Sequence, residues 1–206
     1  MNFHHSDFLY SSANDTRSHL LATGYQLIAH KGFTAVGIKQ ILDTAGIPKG
    51  SFYYYFTSKE AFGEAIIKGY FEHYKHRLKA ISDQEISAQQ KLYRYFQYWY
   101  DTQQNGCDHE KCLVVKLSGE VSDISVPMRE ALASGYMQTI NWIGDQIKSG
   151  WQDGSIPKTT NLAAESIAKR WYYAWLGASL IAKTSRSDSS LSEVWQMTIS
   201  ELGYPS

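Results

Sequence analysis

The chain has 206 residues, of which 43% are hydrophobic, 14% aromatic and 19% charged. This balance is typical of a globular protein with a substantial core, and it excludes a disordered chain. Lys and Arg together number 20, as do Asp and Glu, so the formal net charge is zero and any contact with DNA must come from a few well-placed cations. Two cysteines are too few for a disulfide scaffold and indicate a reducing compartment.

The N-terminal residues lack the charged and then apolar pattern of a signal peptide. The longest nearly apolar stretch, 171–182, is too short to cross a bilayer and is predicted to be a buried helix. We therefore expect a cytoplasmic protein with no membrane partner.

Helical periodicity recurs along the chain from residue 15 onward, without β alternation. Gly, Pro and Ser residues divide the pattern into about nine segments. The predicted helices span 15–31, 34–44, 48–56, 58–80, 88–104, 111–121, 127–150, 160–183 and 189–203. The sequence thus predicts an all-α protein with a compact helical head over 15–57 and a larger helical-bundle body over 58–206.

The head has the features of a helix-turn-helix. Gly46 separates two short helices and supplies the positive φ of a tight turn, and Pro48 suits the first turn of the second helix. Phe52 and Phe56 lie one turn apart, so they can anchor this helix to Leu27, Ile28 and Ile41. The remaining residues of the helix then include an outward face that could enter a major groove.

Several motifs in the head also point to a known family: Gly32-Phe33-Thr34, Ile38 to Leu42, Ala45-Gly46-Ile47, Gly50 to Phe56 and Ser58-Lys59. Together they closely resemble the N-terminal signature of the tetracycline-repressor (TetR) family, without a gap. The resemblance implies a homodimeric repressor that binds palindromic double-stranded DNA and carries an inducer site in its body. Carried over by position, it implies DNA contacts from Thr34, Lys39, Lys49, Gly50, Ser51, Tyr53, Tyr54, Tyr55 and Lys59.

The alternative for the three adjacent tyrosines is packing within a helical bundle. They point in three directions on a helix, so they cannot all be buried. Charge in the head is nearly balanced, which predicts modest non-specific binding and a shallow salt dependence. The groups concerned are Arg17, Lys31, Lys39, Lys49 and Lys59 against Asp7, Asp15, Asp43 and Glu60.

The last two predicted helices carry broad apolar faces with small residues. The family resemblance implies that 160–183 and 189–203 of each subunit form a four-helix dimer interface. Burial within one subunit is the alternative for each residue, and both can hold because a wide apolar face buries on two sides.

A motif with two thiols, Cys107-Asp108-His109-Glu110-Lys111-Cys112, runs from a loop into the start of the sixth predicted helix. There the helix dipole and nearby lysines would favour a Cys112 thiolate, which attacks electrophiles and oxidants. A small buried side chain is an equal alternative on residue chemistry alone. Cys107 could form a disulfide with Cys112 if their Cα atoms come within about 7 Å.

A second resemblance bears on this motif. Cys112 to Ser118, Glu120-Val121 and 176–183 look like the subfamily that represses an N-ethylmaleimide reductase. This implies sensing of electrophiles or reactive chlorine at Cys112, with Lys183 as a basic partner; a solvated lysine is the alternative. Acrylate-responsive repressors share this neighbourhood, so an unsaturated carboxylate is another candidate effector. Modification is expected to tilt helix 58–80 and change the spacing of the two recognition helices.

Other interpretations stay open. A reversible lipophilic inducer could bind an aromatic pocket, although core packing explains the same rings equally well; the rings are Tyr95, Trp99, Trp142, Trp171 and Trp175. A helical-bundle metalloprotein or interaction module is the alternative from another class. Cys107, His109 and Cys112 lack the spacing of a structural zinc site, and no catalytic motif occurs. We therefore predict no metal, no cofactor and no enzymatic activity.

Overall fold

The computed structural model describes residues 15–104, 113–121 and 123–205. These residues form nine α-helices and no β-strand, which confirms the all-α prediction for this part of the chain. The helices are α1 Thr16–Lys31, α2 Ile38–Ala45, α3 Lys49–Tyr55, α4 Lys59–Ser82, α5 Ala88–Gln104, α6 Leu113–Val121, α7 Val126–Asp153, α8 Ala164–Ser185 and α9 Ser189–Glu201. None of the described helices is both long and apolar enough to cross a membrane.

Packing groups the described residues into two units. The first contains 15–74, 113–121 and 123–135, and the second contains 75–104 and 136–205. Helices α4 and α7 therefore contribute residues to both units. These units are defined by packing. The predicted division into 15–57 and 58–206 instead separates a DNA-binding domain from a sensing and dimerisation domain, and it stays a prediction.

An aromatic cluster holds the first unit together. Phe52 and Phe56 of α3 and Phe62 of α4 are buried, and their ring centroids lie 4.9 to 5.5 Å apart. Helix α1 comes close to the same cluster at Gly24, where an added Cβ would lie 2.3 Å from Phe62 Cζ. The predicted anchors of α3 lie in α1 and α2, and Phe62 of α4 is a further one that the sequence did not indicate.

Local chemistry sets several helix ends. The Asp15 carboxylate accepts the Arg17 backbone N–H at 3.2 Å, and Ser58 Oγ accepts the Ala61 N–H at 3.1 Å, so both residues are N-caps. The predicted start of the second helix at Thr34 is wrong. Residues 33–35 form a turn, and Gly37 in an extended conformation precedes α2. Glycine is a poor helix former, which favours a cap at this position.

The core of the second unit is also aromatic. The Trp175 ring stacks on Phe96 with centroids 5.2 Å apart and lies 5.5 Å from Trp99. A buried indole N–H needs an acceptor, and the unit supplies one for each of four tryptophans. Trp142 donates to Ser82, Trp99 to Ser179, Trp171 to Glu201 and Trp175 to Thr198, at 2.6 to 3.1 Å.

The contact at Glu201 predicts a measurable stability effect. Glu201→Ala is expected to lower the free energy of unfolding by about 1–3 kcal/mol, because the buried indole N–H of Trp171 loses its acceptor. Arg170 donates to the same carboxylate at 2.6 Å and would lose that partner as well. Urea unfolding followed by circular dichroism measures the change. Glu193→Ala, at an exposed position of the same helix, should stay within about 0.5 kcal/mol of the parent. Equal stabilities of the two variants would contradict the role of Glu201.

Candidate DNA-binding interface

Helices α2 and α3 are joined by a short turn that begins at Gly46. This glycine is left-handed, with φ 66° and ψ 30°, and its N–H bonds to the Leu42 carbonyl at the end of α2. Pro48, in an extended conformation, then precedes α3. Two short helices joined in this way form the helix-turn-helix that the sequence predicts.

Helix α3 has one buried side and one exposed side. Phe52 is fully buried, whereas Tyr53 is 51% exposed and Tyr54 is 82% exposed. The Tyr54 ring meets the Tyr55 ring edge-on, with centroids 4.8 Å apart. A Cβ added at Gly50 would meet no atom within 4 Å, so the backbone in the first turn of α3 is open to a bound molecule. Such an exposed surface on a firmly packed helix suits insertion into a major groove.

The nine residues for which DNA contacts are predicted all lie outside the buried core. The exposed members are Thr34, Lys39, Lys49, Gly50, Tyr53 and Tyr54. The half-buried members are Ser51, Tyr55 and Lys59. Their positions are compatible with a role in binding DNA, which stays a prediction for each residue.

Lys39 is engaged in an ion pair within its own helix. Its Nζ lies 2.6 Å from Asp43 Oδ2, one turn further along α2. The hydrogen bond with Asp43 raises the pKa of Lys39 above its ordinary value, and the charge of Asp43 acts in the same direction. A DNA phosphate would have to compete with this carboxylate. We therefore expect Lys39 to contribute less to DNA binding than Lys49.

Lys59 contacts the turn between α1 and α2. Its Nζ lies 3.5 Å from the Thr34 carbonyl oxygen and 4.5 Å from the centroid of the Phe33 ring. Burial lowers the pKa of Lys59, and the charges of Glu60 and Glu120 partly oppose this effect. The ammonium therefore supports the turn in this structure, in addition to any contact it makes with phosphate.

Three charged residues make contacts with these helices that the sequence did not predict. Arg17 of α1 lies over the Phe56 ring, with the guanidinium carbon 5.4 Å from the ring centroid. Glu120 of α6 accepts the Thr34 backbone N–H at 3.1 Å, and Lys116 donates to the His30 carbonyl at 3.1 Å. In these two hydrogen bonds the partners are 86 residues apart, so no local pattern could have indicated them.

Of the three predicted sensor residues, only Lys183 lies among the described residues. Cys107 and Cys112 lie outside the described residues, as does His109 of the metal alternative. Lys183 is exposed in the last turn of α8, and its pairing with a modified Cys112 stays a prediction. Among the described residues, no group of three or more His, Cys, Asp or Glu side chains is placed to hold a metal ion.

The aromatic residues predicted to line a ligand pocket pack against one another. Tyr95, Trp99, Trp171 and Trp175 are buried, and Trp142 is half-buried with its ring 5.3 Å from that of Tyr95. A cavity beside Trp171 has a volume of about 10 Å³, which is room for one water molecule at most. This packing is that of a core, the second of the two alternatives, and a ligand-binding role stays a prediction.

The exposed second helix of a helix-turn-helix defines a DNA-binding regulator. Two family models match the chain: "Bacterial regulatory proteins, tetR family" over residues 20–66 and "Tetracyclin repressor-like, C-terminal domain" over residues 88–198. The chain belongs to the TetR family, whose members are DNA-binding regulators and not enzymes.

Similar proteins extend this assignment over most of the chain. The HTH-type transcriptional repressor NemR of Escherichia coli strain K12 is 39% identical over 180 residues, which cover 84% of this chain and 87% of NemR. The repressor DhaR of Mycobacterium sp. strain GP1 is 29% identical over 178 residues, covering 86% of this chain and 87% of DhaR. The crystal structure of reduced E. coli NemR matches with a TM-score of 0.86 at 37% identity, covering 94% of this chain and 100% of that one. The protein is thus a TetR-family transcriptional repressor similar to NemR.

The exposure of Lys49 at the start of α3 predicts a specific effect on salt dependence. Lys49→Met is expected to weaken binding to operator and to unrelated DNA alike, and to reduce the slope of log Kd against log salt by about 1, because one phosphate contact is lost. Fluorescence anisotropy at several salt concentrations measures the slope. Lys79→Met removes an exposed lysine paired with Asp83 and should leave the slope unchanged. Equal slopes for parent and Lys49→Met would remove Lys49 from the interface.

Proposed function

We propose that this protein is a homodimeric repressor that leaves its operator when a reactive electrophile or oxidant modifies Cys112. DNA binding rests on one observation: α3 packs through buried Phe52 and presents exposed Tyr53 and Tyr54, in a family of DNA-binding regulators. The similarity to NemR supports the class of effector, since the matching crystal structure is of that protein's reduced form. Such a repressor acts in the cytoplasm, where bacterial DNA and a reducing thiol pool are found.

The chemistry requires a thiolate at Cys112. The sequence predicts that Cys112 lies in the first turn of a helix over 111–121, where the positive end of the helix dipole would favour the ionised thiol. A thiolate and hypochlorous acid give a sulfenic acid and chloride, so the sulfur loses two electrons and the chlorine gains them. The sulfenic acid then condenses with a thiol, such as that of Cys107, to form a disulfide and water. Added thiol reverses this step by exchange.

Release requires that the modified and reduced proteins differ in their affinity for DNA. A dimer contacts two half-sites when its recognition helices lie roughly 34–36 Å apart. We propose that modification repacks the helices around the sensor, tilts α4 and changes this separation. The reduced state then binds the operator, and the modified state loses one of the two half-sites.

Helix α8 offers an apolar surface for the second subunit. Tyr173, Leu180 and Ile181 are each about half exposed, and Gly177 between them has open space at its Cα. Positions 173, 177, 180 and 181 recur at helical spacing, so they form one stripe. Ile167, Trp171 and Trp175 of the same helix differ, because they are buried within the subunit. An exposed apolar stripe at the helix that the family uses for dimerisation supports a homodimer through α8 and α9.

This stripe predicts how the dimer can be broken. Ile181→Arg is expected to weaken the dimer at least tenfold, because two buried cations would meet across a two-fold axis without partners. Sedimentation equilibrium measures the dimer dissociation constant, and operator affinity should fall with it. Leu162→Arg is the control, because Leu162 is exposed to a similar degree outside α8. If both variants stay dimeric at the same concentrations, the interface lies elsewhere.

The sensor proposal is tested by replacing each cysteine separately. Cys112→Ser should bind the operator with unchanged affinity and should resist release by hypochlorite, because the serine hydroxyl is not oxidised by this route. Cys107→Ser is the matched control: it should still release DNA and recover on addition of thiol, because added thiol also reduces a sulfenic acid. If Cys107 is the resolving thiol, this variant should lose the Cys107–Cys112 disulfide, which mass spectrometry of the oxidised protein detects. Fluorescence anisotropy on DNA from upstream of the protein's own gene follows binding, release and recovery in one titration.

Two results would contradict this mechanism. Release of Cys112→Ser by hypochlorite would show that the oxidised group lies elsewhere. If the parent protein binds the operator tightly and neither hypochlorite nor N-ethylmaleimide releases it, the protein is still a repressor. A reversible inducer would then be favoured over covalent sensing.

A further inference from the structure

Helix α6 is attached by two hydrogen bonds to the end of α1 and to the turn that follows it. Lys116 Nζ donates to the His30 carbonyl at 3.1 Å, which satisfies one of the carbonyls at the C-terminus of α1. One turn later on α6, the Glu120 carboxylate accepts the backbone N–H of Thr34 at 3.1 Å. Each bond is made by a charged side chain to the backbone, so it constrains the path of the chain at that point.

The Glu120 carboxylate also packs closely against Gly32. Gly32 has φ 91°, and a Cβ at this position would lie 2.3 Å from Glu120 Oε1, so the carboxylate occupies space that only a glycine leaves open. Lys59 reaches the same turn from α4 and feels the charge of Glu120. The turn is thus held from two sides, by the carboxylate at the Thr34 N–H and by the ammonium at the Thr34 carbonyl.

This attachment joins parts of the chain that belong to different family domains. The C-terminal domain model of the family covers residues 88–198 and so includes α6. Packing nevertheless places 113–121 in the unit that contains α1, α2 and α3. Thr34 lies four residues before the start of α2. The position of α6 therefore constrains the backbone that leads into the helix-turn-helix.

We propose that Glu120, with Lys116, forms a latch through which α6 positions the helix-turn-helix for DNA, and that effectors act on the operator affinity through this latch. Glu120 is a positioning residue, since it acts through the turn at Thr34. With the latch closed, α2 and α3 are held in the DNA-binding arrangement. A displacement of α6 opens the latch and frees the turn. The effector part of this inference rests on the proposed function, and the positioning part does not.

The test compares three latch variants with one control. Glu120→Ala removes the acceptor, Glu120→Gln keeps an acceptor for the Thr34 N–H, and Lys116→Met removes the second contact. Glu130→Ala replaces an exposed glutamate of the same packing unit. Operator duplexes selected from a random pool provide the DNA. For each variant, Kd is measured before and after hypochlorite, with the melting temperature and the hydrogen exchange of the segment around Thr34.

The latch predicts a graded result. Glu120→Ala should raise the operator Kd roughly 5- to 20-fold, speed exchange around Thr34 and bring the ratio of Kd after and before hypochlorite closer to 1, because the variant has lost part of the coupling. Glu120→Gln should restore most of the affinity and the ratio. Lys116→Met should change the operator Kd and the ratio in the same direction as Glu120→Ala. Glu130→Ala should have the same Kd and ratio as the parent.

Other outcomes would overturn the proposal. A lower melting temperature with unchanged Kd and unchanged ratio would show that Glu120 only stabilises the fold, and loss of affinity in Glu120→Gln equal to that in Glu120→Ala would reject the Thr34 contact. If Glu120→Ala does not fold, Glu120→Gln and Lys116→Met decide by the same criteria. If hypochlorite does not change the operator Kd of the parent protein, electrophile sensing is refuted. The operator affinities of the untreated variants would still decide whether Glu120 is a positioning residue.

Discussion

The exposed surface of α3 depends on the burial of Phe52 and Phe56 against Phe62. Helix α3 has only seven residues, and a helix of that length is unstable in water without tertiary packing. Removing each of these rings from water favours the folded state by about 1.5–3 kcal/mol, which offsets part of the cost of ordering the helix. The same packing turns Tyr53 and Tyr54 outward, because neighbouring residues on a helix point in different directions. Stability and recognition thus come from one contact.

The first packing unit contains more than α1 and the helix-turn-helix of α2 and α3. Residues of α4, α6 and α7 belong to it, and charged side chains of α6 bond the end of α1 and the turn between α1 and α2. In the mechanism that we propose, a displacement of α6 changes the position of the helix-turn-helix, because α6 holds the turn that precedes α2. In this proposal the effector changes DNA binding through two hydrogen bonds from α6 to backbone atoms. Coupling through a long series of side-chain contacts is then not required.

The second unit bears on the choice between covalent and reversible sensing. Its tryptophans stack on one another, and four indole N–H groups are satisfied by protein oxygens. A ligand entering among them would have to displace rings and leave buried donors unpaired, which is costly. Covalent modification needs only access to one sulfur atom and no large cavity. Dense aromatic packing is therefore compatible with a thiol switch and weakens the case for an aromatic ligand pocket.

The sequence by itself determined the helical class, the helix-turn-helix and the family, because these follow from local signals: apolar periodicity, the glycine turn at Gly46, and the motif from Gly50 to Phe56. It also indicated an exposed tyrosine on α3. Only the tertiary structure decided that α2 begins at Ile38, that Phe62 supports α3, and that Trp171 and Trp175 are core residues. The contacts of Glu120 and Lys116 with the first helices belong to the same group, since they join residues 86 positions apart. Such contacts depend on how helices pack, and no spacing within a single helix encodes them.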